Sequence, residues 1–255
     1  MAENVMKEWY SAAKKRVSVR NYTAPVDRDT YYELKEEAAK LCTADVRIEL
    51  RAKNGVLVKP PVLSAVLGGV QGTNCFAAII VSKGNEYMGG YIGEAFILEC
   101  VSRGLATCWL GATYKKSAVK QFIELNEDEH LIAIIAIGRC TKLPEPGPRK
   151  SIEQLTGLDN ADFNRLPEWQ QEAVKAARIA PSARNRQPWE IEIKDDKIKL
   201  ICNSSNFGYG EVDCGIAMLH IELGAAKYGV YGDWKRENFA NVFVPFEMTG
   251  YDDEF

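Results

Sequence analysis

Histidine is scarce: the 255 residues contain only His130 and His220. There is no H-E-x-x-H and no Cys/His cluster at ligand spacing, so a metal site has nothing to build on. His130 follows the acidic run NEDE and is expected at the surface; His220, inside the last helical pattern, reads as a packed, hydrogen-bonded side chain. The seven cysteines form no C-x-x-C and sit mostly in apolar context, as reduced thiols of a cytoplasmic protein do. No apolar run approaches the roughly 18 residues of a membrane helix, and the opening MAENVMKEWYSAAKKR lacks the apolar core of a signal peptide. A charge excess is missing too. With 32 basic against 35 acidic residues, net −3, the chain is not built to coat nucleic acid or acidic membranes. G-x-x-x-x-G-K-[ST], a strand-led G-x-G-x-x-G and G-x-S-x-G are all absent. An enzyme with so little of its own reactive chemistry leaves the hard step to a bound cofactor, and no side chain is assigned as catalytic.

What is present is a balanced globular composition, 46% hydrophobic and 26% charged. The length suits one large domain or two small ones, and such a chain buries about three quarters of its unfolded surface. Helical spacing covers Met6–Lys15 and Arg28–Cys42, the second with Asp27 as N-cap. Asp45–Arg51 alternates as a half-buried strand, and Asn54-Gly55 reads as a hairpin turn into Val56–Val58. Phe76–Val81 and Ile132–Ile137 are apolar on both faces, as central strands are. An amphipathic helix is expected over Tyr91–Arg103, capped by Gly104, and a shorter one from Ser117 with Val119, Phe122 and Ile123 on one face. The stretch TKLPEPGP then breaks the chain with three prolines and a glycine. Beyond it the pattern starts again: a helix over Glu168–Arg178, a hairpin of Trp189–Ile193 and Ile198–Leu200 around Asp195-Asp196, an amphipathic helix over Glu211–Tyr228, and a strand or arm at Val242–Phe246. The second part is a shorter variation on the first, which points to duplication, with no short repeat period.

Four segments carry polar chemistry. Arg16, Ser18 and Arg20 alternate, so in an extended segment two guanidinium groups and a hydroxyl share a face, and arginine forks match phosphate oxygens. A solvated basic segment accounts for the same residues. Arg149-Lys150-Ser151 adds two cations and a hydroxyl ahead of Ile152–Leu155. The segment from Ala180 to Trp189 is an amide- and hydroxyl-rich loop held by Pro181 and Pro188, suited to a ligand with many acceptors and equally to a plain helix–strand connection. Gly104–Ala112 is bounded by glycines that permit close backbone approach; alone it reads as a helix cap plus a buried strand.

Together these segments resemble the FMN-dependent nitroreductase family. Arg16, Ser18 and Arg20 match its R-x-S-x-R opening. Pro181, Ser182, Asn185, Gln187, Pro188 and Trp189 match its P-S-x-x-N-x-Q-P-W loop, the most specific of the set. Gly104, Leu105, Trp109, Leu110 and Gly111 match G-L-x-x-x-W-L-G, and Arg149 to Ile152 match the late R-K-S-[LI]. The order departs from the family: the P-S-x-x-N loop comes after the late basic segment, and the stretch around Cys42–Asp45, where it belongs, lacks it. Asp213–Ala217 resembles a second copy of the start of the family's central helix. The chain is therefore similar to the fused, single-chain members.

The resemblance implies an α+β, nitroreductase-like fold of mostly antiparallel sheets flanked by helices. Two half-copies, residues 1–158 and 159–255, would form an internal pseudo-dimer that acts as a monomer. It implies FMN as cofactor, NADH or NADPH as reductant, and reduction of nitroaromatic, quinone or similar flat small-molecule acceptors by ping-pong hydride transfer through flavin N5. No nucleic acid, membrane or metal enters. Arg16, Val17, Ser18, Arg20, Arg149 and Lys150 would hold the phosphate and ribityl end. Pro181, Ser182, Ala183, Asn185 and Gln187 would approach from the other half. Trp109, Leu110, Gly111 and Ala112 would line the ring, with the Gly111–Ala112 backbone donating to N5. The alternative is a flavin-binding or degenerate, non-catalytic protein on the same scaffold.

Overall fold

The computed structural model describes residues 3–55, 57, 69–237 and 240–246. The chain opens with α1 (Glu3–Lys15) and α2 (Arg28–Leu41). Asp27 caps α2, its side chain accepting from Thr30 N–H at 3.0 Å. Four strands follow, β1 (Val46–Ala52), β2 (Cys75–Ser82), β3 (Ala106–Leu110) and β4 (Glu129–Gly138), interrupted by the long α3 (Glu86–Ser102) and the single-turn α4 (Lys116–Val119). They form one antiparallel sheet in the order β1-β2-β4-β3. Three helices, α5 (Ile152–Thr156), α6 (Asn160–Arg165) and α7 (Glu168–Ile179), lead to β5 (Trp189–Lys194) and β6 (Lys197–Cys202). After these come α8 (Gly210–Ala226), β7 (Gly232–Glu237) and β8 (Ala240–Pro245). The second sheet, β5-β6-β8-β7, has the same antiparallel order as the first. The fold is α+β, two copies of one four-stranded motif each wrapped around a long helix.

Alternation along β2 explains why the first sheet is apolar on both sides. Cys75, Ala77, Ile79 and Val81 join the large core shared with α3, α7, α8 and the second sheet. Phe76, Ala78 and Ile80 face an outer cluster with Val19, Tyr22, Cys108 and Leu110. A third cluster seats α1, through Met6, Trp9 and Tyr10, on α3 and α8.

The long helices correct an expectation. α3 starts at Glu86, ahead of Tyr91, and neither it nor α8 is amphipathic: most of their residues are buried all round. They lie between the two sheets and against each other. A Cβ on Gly90 would run into the Val212 carbonyl, and one on Gly215 into that of Tyr87. The same sequence interval separates Tyr87 from Val212 and Gly90 from Gly215, so each helix presents the same glycine to the other. The expected helix from Ser117 stops at Val119, leaving Phe122 and Ile123 beyond it. His130 is half-buried at the start of β4, 3.2 Å from Glu86, rather than in an exposed loop. β7 lacks a clear sequence signal, whereas α5 carries one in the Ser151–Gln154 capping box and α6 in its Asp159 cap. Asn54-Gly55 forms a turn with Gly55 at φ +82°, but the strand expected at Val56–Val58 falls mostly outside the described residues.

The crossing yields a test. Gly215→Ala should destabilise the fold by about 1–3 kcal/mol even though alanine favours helix by ~1 kcal/mol, because the methyl has only backbone to displace. Urea unfolding of the variant reads this; an unchanged or higher midpoint would mean the helices do not meet as described.

Candidate functional site

β3 is an edge strand, and the basic segment after α1 covers its open edge. Ser18 pairs with Thr107 in parallel, and the Val19 N–H donates to the Thr107 carbonyl at 2.9 Å. Val19 points into the outer cluster, and Val17 packs half-buried against it. Arg16, Ser18 and Arg20 converge on Cys108, whose thiol burial pushes up while both guanidinium groups and the Ser18 hydroxyl pull it down. Arg16 is buried, with Nε and Nη1 lacking partners; Arg20 Nε and the Thr107 hydroxyl are buried and unpartnered as well.

One carboxylate meets this cluster. Glu94, fully buried on α3, accepts the Trp109 indole N–H at 2.8 Å through Oε2. Its Oε1 lies 3.1 Å from His220 Nε2 and 3.6 Å from Arg16 Nε. His220, on α8, places Nδ1 3.1 Å from the Ala176 carbonyl. A carbonyl only accepts, so Nδ1 carries a hydrogen. The Nε2–Oε1 contact then needs a second proton, on either atom, and the Glu94–His220 pair is neutral overall in both cases. Glu94 therefore does not cancel the charge of Arg16.

The loop after α7 arrives from the second motif. Ala180 ends the helix, and Arg184, Asn185 and Gln187 all adopt positive φ (54°, 56° and 48°). Such backbone costs of order 1–3 kcal/mol per residue and persists only where its surroundings dictate it. Here a dense hydrogen-bond set does so. Gln187 N–H donates to Ser182 Oγ at 2.8 Å, and Gln187 Nε2 to the Asn185 carbonyl at 3.1 Å. Lys150 donates twice to Gln187, from its backbone N–H to Oε1 (2.9 Å) and from Nζ to the carbonyl (2.8 Å). Arg149 Nη1 donates to Asn185 Oδ1 (2.5 Å) and to the Ala180 carbonyl (3.1 Å), and Asn185 Nδ2 to the Pro148 carbonyl (2.6 Å). Burial, then the Arg16 and Arg178 guanidinium groups, push Arg149 down from its ordinary value, opposed by Glu94; arginine nevertheless keeps its charge. Asn185 is thus hydrogen-bonded to Arg149, and Arg149 lies within electrostatic reach of the like-charged Arg16.

The remaining expected residues are placed less directly. Leu110 is buried in the outer cluster and pairs with Ile134 across the β3–β4 ladder. Gly111 lies against the Tyr209 ring, which occupies the position a Cβ would take, and Ala112 is exposed. Pro181 is buried, and the Ala183 N–H donates to Asp213 Oδ1 at 2.8 Å. Sequence reasoning missed Glu94 and the part of Asp213, which accepts from the Ala183 N–H and the Asn206 side chain. A signal existed for Glu94: one carboxylate in the apolar run GEAFIL must be partnered when buried.

The family model described as "Putative TM nitroreductase" matches residues 8–225. The chain belongs to this family. A putative nitroreductase from Thermotoga maritima MSB8 is similar in structure, with TM-score 0.65 and 19% identity over 92% of each chain. A nitroreductase with bound FMN from Desulfitobacterium hafniense DCB-2 is 14% identical over 55% of this chain and 93% of its own, with TM-score 0.45. For an FMN-dependent nitroreductase from Clostridium difficile R20291 the values are 14%, 61%, 96% and 0.43. No curated protein matches in sequence. Among the described residues of this nitroreductase-family chain, no helix is long and apolar enough to cross a membrane, and no His/Cys/Asp/Glu group is placed to hold a metal.

Asp213 gives the site a pH signature. Burial pushes its carboxyl from 3.8 up to about 7, against the opposing hydrogen bonds from Asn206 and Ala183. Below 3.8 folded and unfolded chains are both protonated there and its contribution is complete. As pH rises the unfolded carboxyl ionises first, so stability is lost up to about pH 7. Denaturant unfolding across this range should show the parent falling relative to Asp213→Asn by ~1.4 kcal/mol per pH unit. Parallel profiles would remove Asp213 as the cause.

Proposed function

We propose that the chain is an FMN-dependent NAD(P)H oxidoreductase that reduces nitroaromatic, quinone or similar flat acceptors. One flavin site lies between its halves, residues 1–158 and 159–255, which act as an internal pseudo-dimer. The observation that carries this is uncompensated buried positive charge. Arg16 faces a Glu94–His220 pair that is neutral overall, and Arg149 is held by a carbonyl and an amide oxygen. Two guanidinium groups within electrostatic reach, one with unpartnered N–H groups, call for an anion. A phosphate monoester fits this donor set, since arginine forks match its oxygens. Family membership supports a flavin as its bearer.

In this reading Arg16, Ser18, Arg20, Arg149 and Lys150 hold the phosphate and ribityl end. The Pro181–Gln187 loop, stiffened by its internal hydrogen bonds, presents backbone and side-chain amides from the second half. Trp109 is fixed by Glu94, and the backbone at Gly111 and Ala112 offers N–H donors to the ring edge at N5. When bound, FMN supplies hydride acceptance from NADH or NADPH and delivery to the acceptor at one face, which makes the kinetics ping-pong. No side chain of this chain needs to react covalently.

The Tyr209 ring against Gly111 favours a second reading, binding without turnover, because it covers part of the ring-edge position.

Purified protein should be yellow with one FMN per chain. Arg16→Ala should weaken FMN binding ~10–100-fold, as expected for losing charge-assisted hydrogen bonds, and Arg20→Ala should weaken it too. NADPH or NADH oxidation with a nitroaromatic should give parallel double-reciprocal lines. A yellow protein inactive with every acceptor would leave the binding reading; a chain with no measurable FMN affinity would sink both.

A further inference from the structure

A cavity of about 320 Å³ opens between α3, α8, β7 and β8 and shares no residue with the flavin site. It is that site's counterpart in the repeated fold. Trp234 stands at the same sequence interval from Trp109 as Gly215 from Gly90, and Met218 at that interval from Gly93. In the first copy the Trp109 ring rests on Gly93 and its N–H is taken by Glu94. In the second, a methionine replaces the glycine, and the Trp234 N–H is turned toward Glu222 without closing an ordinary hydrogen bond.

The charge of the lining is inverted as well. Where the flavin site gathers arginines, this cavity has Glu222 and Asp233. Among the described residues, the donors turned toward Glu222, the Tyr91 hydroxyl at 2.7 Å and the Trp234 N–H, are both neutral. Tyr87, Tyr91 and Trp234 supply aromatic walls. Arg236, the cation at the rim, already stacks on Tyr87 at 4.9 Å and is tied to Glu211 at 3.2 Å, so its charge is spent. A second flavin phosphate would meet carboxylates here. A cation with an aromatic body would meet a carboxylate at one end and ring faces along its length.

We propose that this cavity binds a flat aromatic cation of the arylalkylammonium class, its ammonium against Glu222 and its ring among Tyr87, Tyr91 and Trp234. The site stands independently of the flavin reading. The volume lies at the small end of ligand pockets, which suits a single ring with a short chain.

Phenethylamine and its neutral isostere phenethyl alcohol separate charge recognition from simple apolar filling. The protein as purified, with whatever flavin it carries, is titrated with each near neutral pH by calorimetry and tryptophan fluorescence. The amine should saturate at one per chain and bind roughly tenfold or more tighter than the alcohol. Glu222→Gln should bring the amine down to the alcohol's level while flavin content and visible spectrum stay as in the parent. Trp234→Phe should weaken both probes by a few fold. Equal binding of the two probes, no saturation at millimolar amine, or an unaffected Glu222→Gln overturns the proposal. Since flavin content is read separately, a colourless protein that still binds the amine counts against the flavin reading alone.

Discussion

Everything in this structure is arranged around the crossing of α3 and α8. Two helices buried on nearly every side approach until backbone meets backbone, and only glycine at positions 90 and 215 permits it. Each helix carries its own four-stranded sheet, so this contact sets how the two sheets face each other. It also sets which side chains can reach across. His220 meets Glu94 because α8 lies against α3 at that distance, and the Asp213 carboxyl reaches the Ala183 amide from the start of the same helix. A looser crossing would leave buried polar groups without their partners.

The second constraint is electrostatic. A buried glutamate beside a buried arginine is ordinarily read as an ion pair. Here the histidine hydrogen bond to a carbonyl changes that reading, because it forces a proton into the Glu94–His220 contact. The three side chains Arg16, Glu94 and His220 therefore carry one net positive charge. Arg149 is in a similar condition, since carbonyl and amide oxygens solvate a guanidinium without neutralising it. Burial raises the energy of the Arg16 charge, and partial burial that of Arg149.

Much of the architecture was legible from residue patterns. β2 and β4 followed from apolar runs bounded by turns, α2 from its Asp27 cap, and the β5–β6 hairpin from alternation around Asp195-Asp196. α3 and α8 were found but misread as amphipathic, because the few polar residues in each, Glu94 and His220 among them, belong to the interior rather than to a solvent face. β7, GDWKRE, escaped notice since five of its six residues are not apolar and it closes an edge. The motif residues themselves stood out, yet the sequence says nothing of which pairs touch: that Arg149 grips Asn185, or that Lys150 stitches Gln187, depends on the folding together of distant segments.

The covering of β3 by Val17–Arg20 ties two matters together. A sheet's last strand carries a row of free backbone groups that invites pairing with another molecule. This chain closes that row with the same short piece that presents its foremost cationic side chains. The pairing that seals the strand therefore also fixes where Arg16, Ser18 and Arg20 stand. Displacing that piece would bare the strand's free backbone groups and scatter the three polar side chains in the same movement.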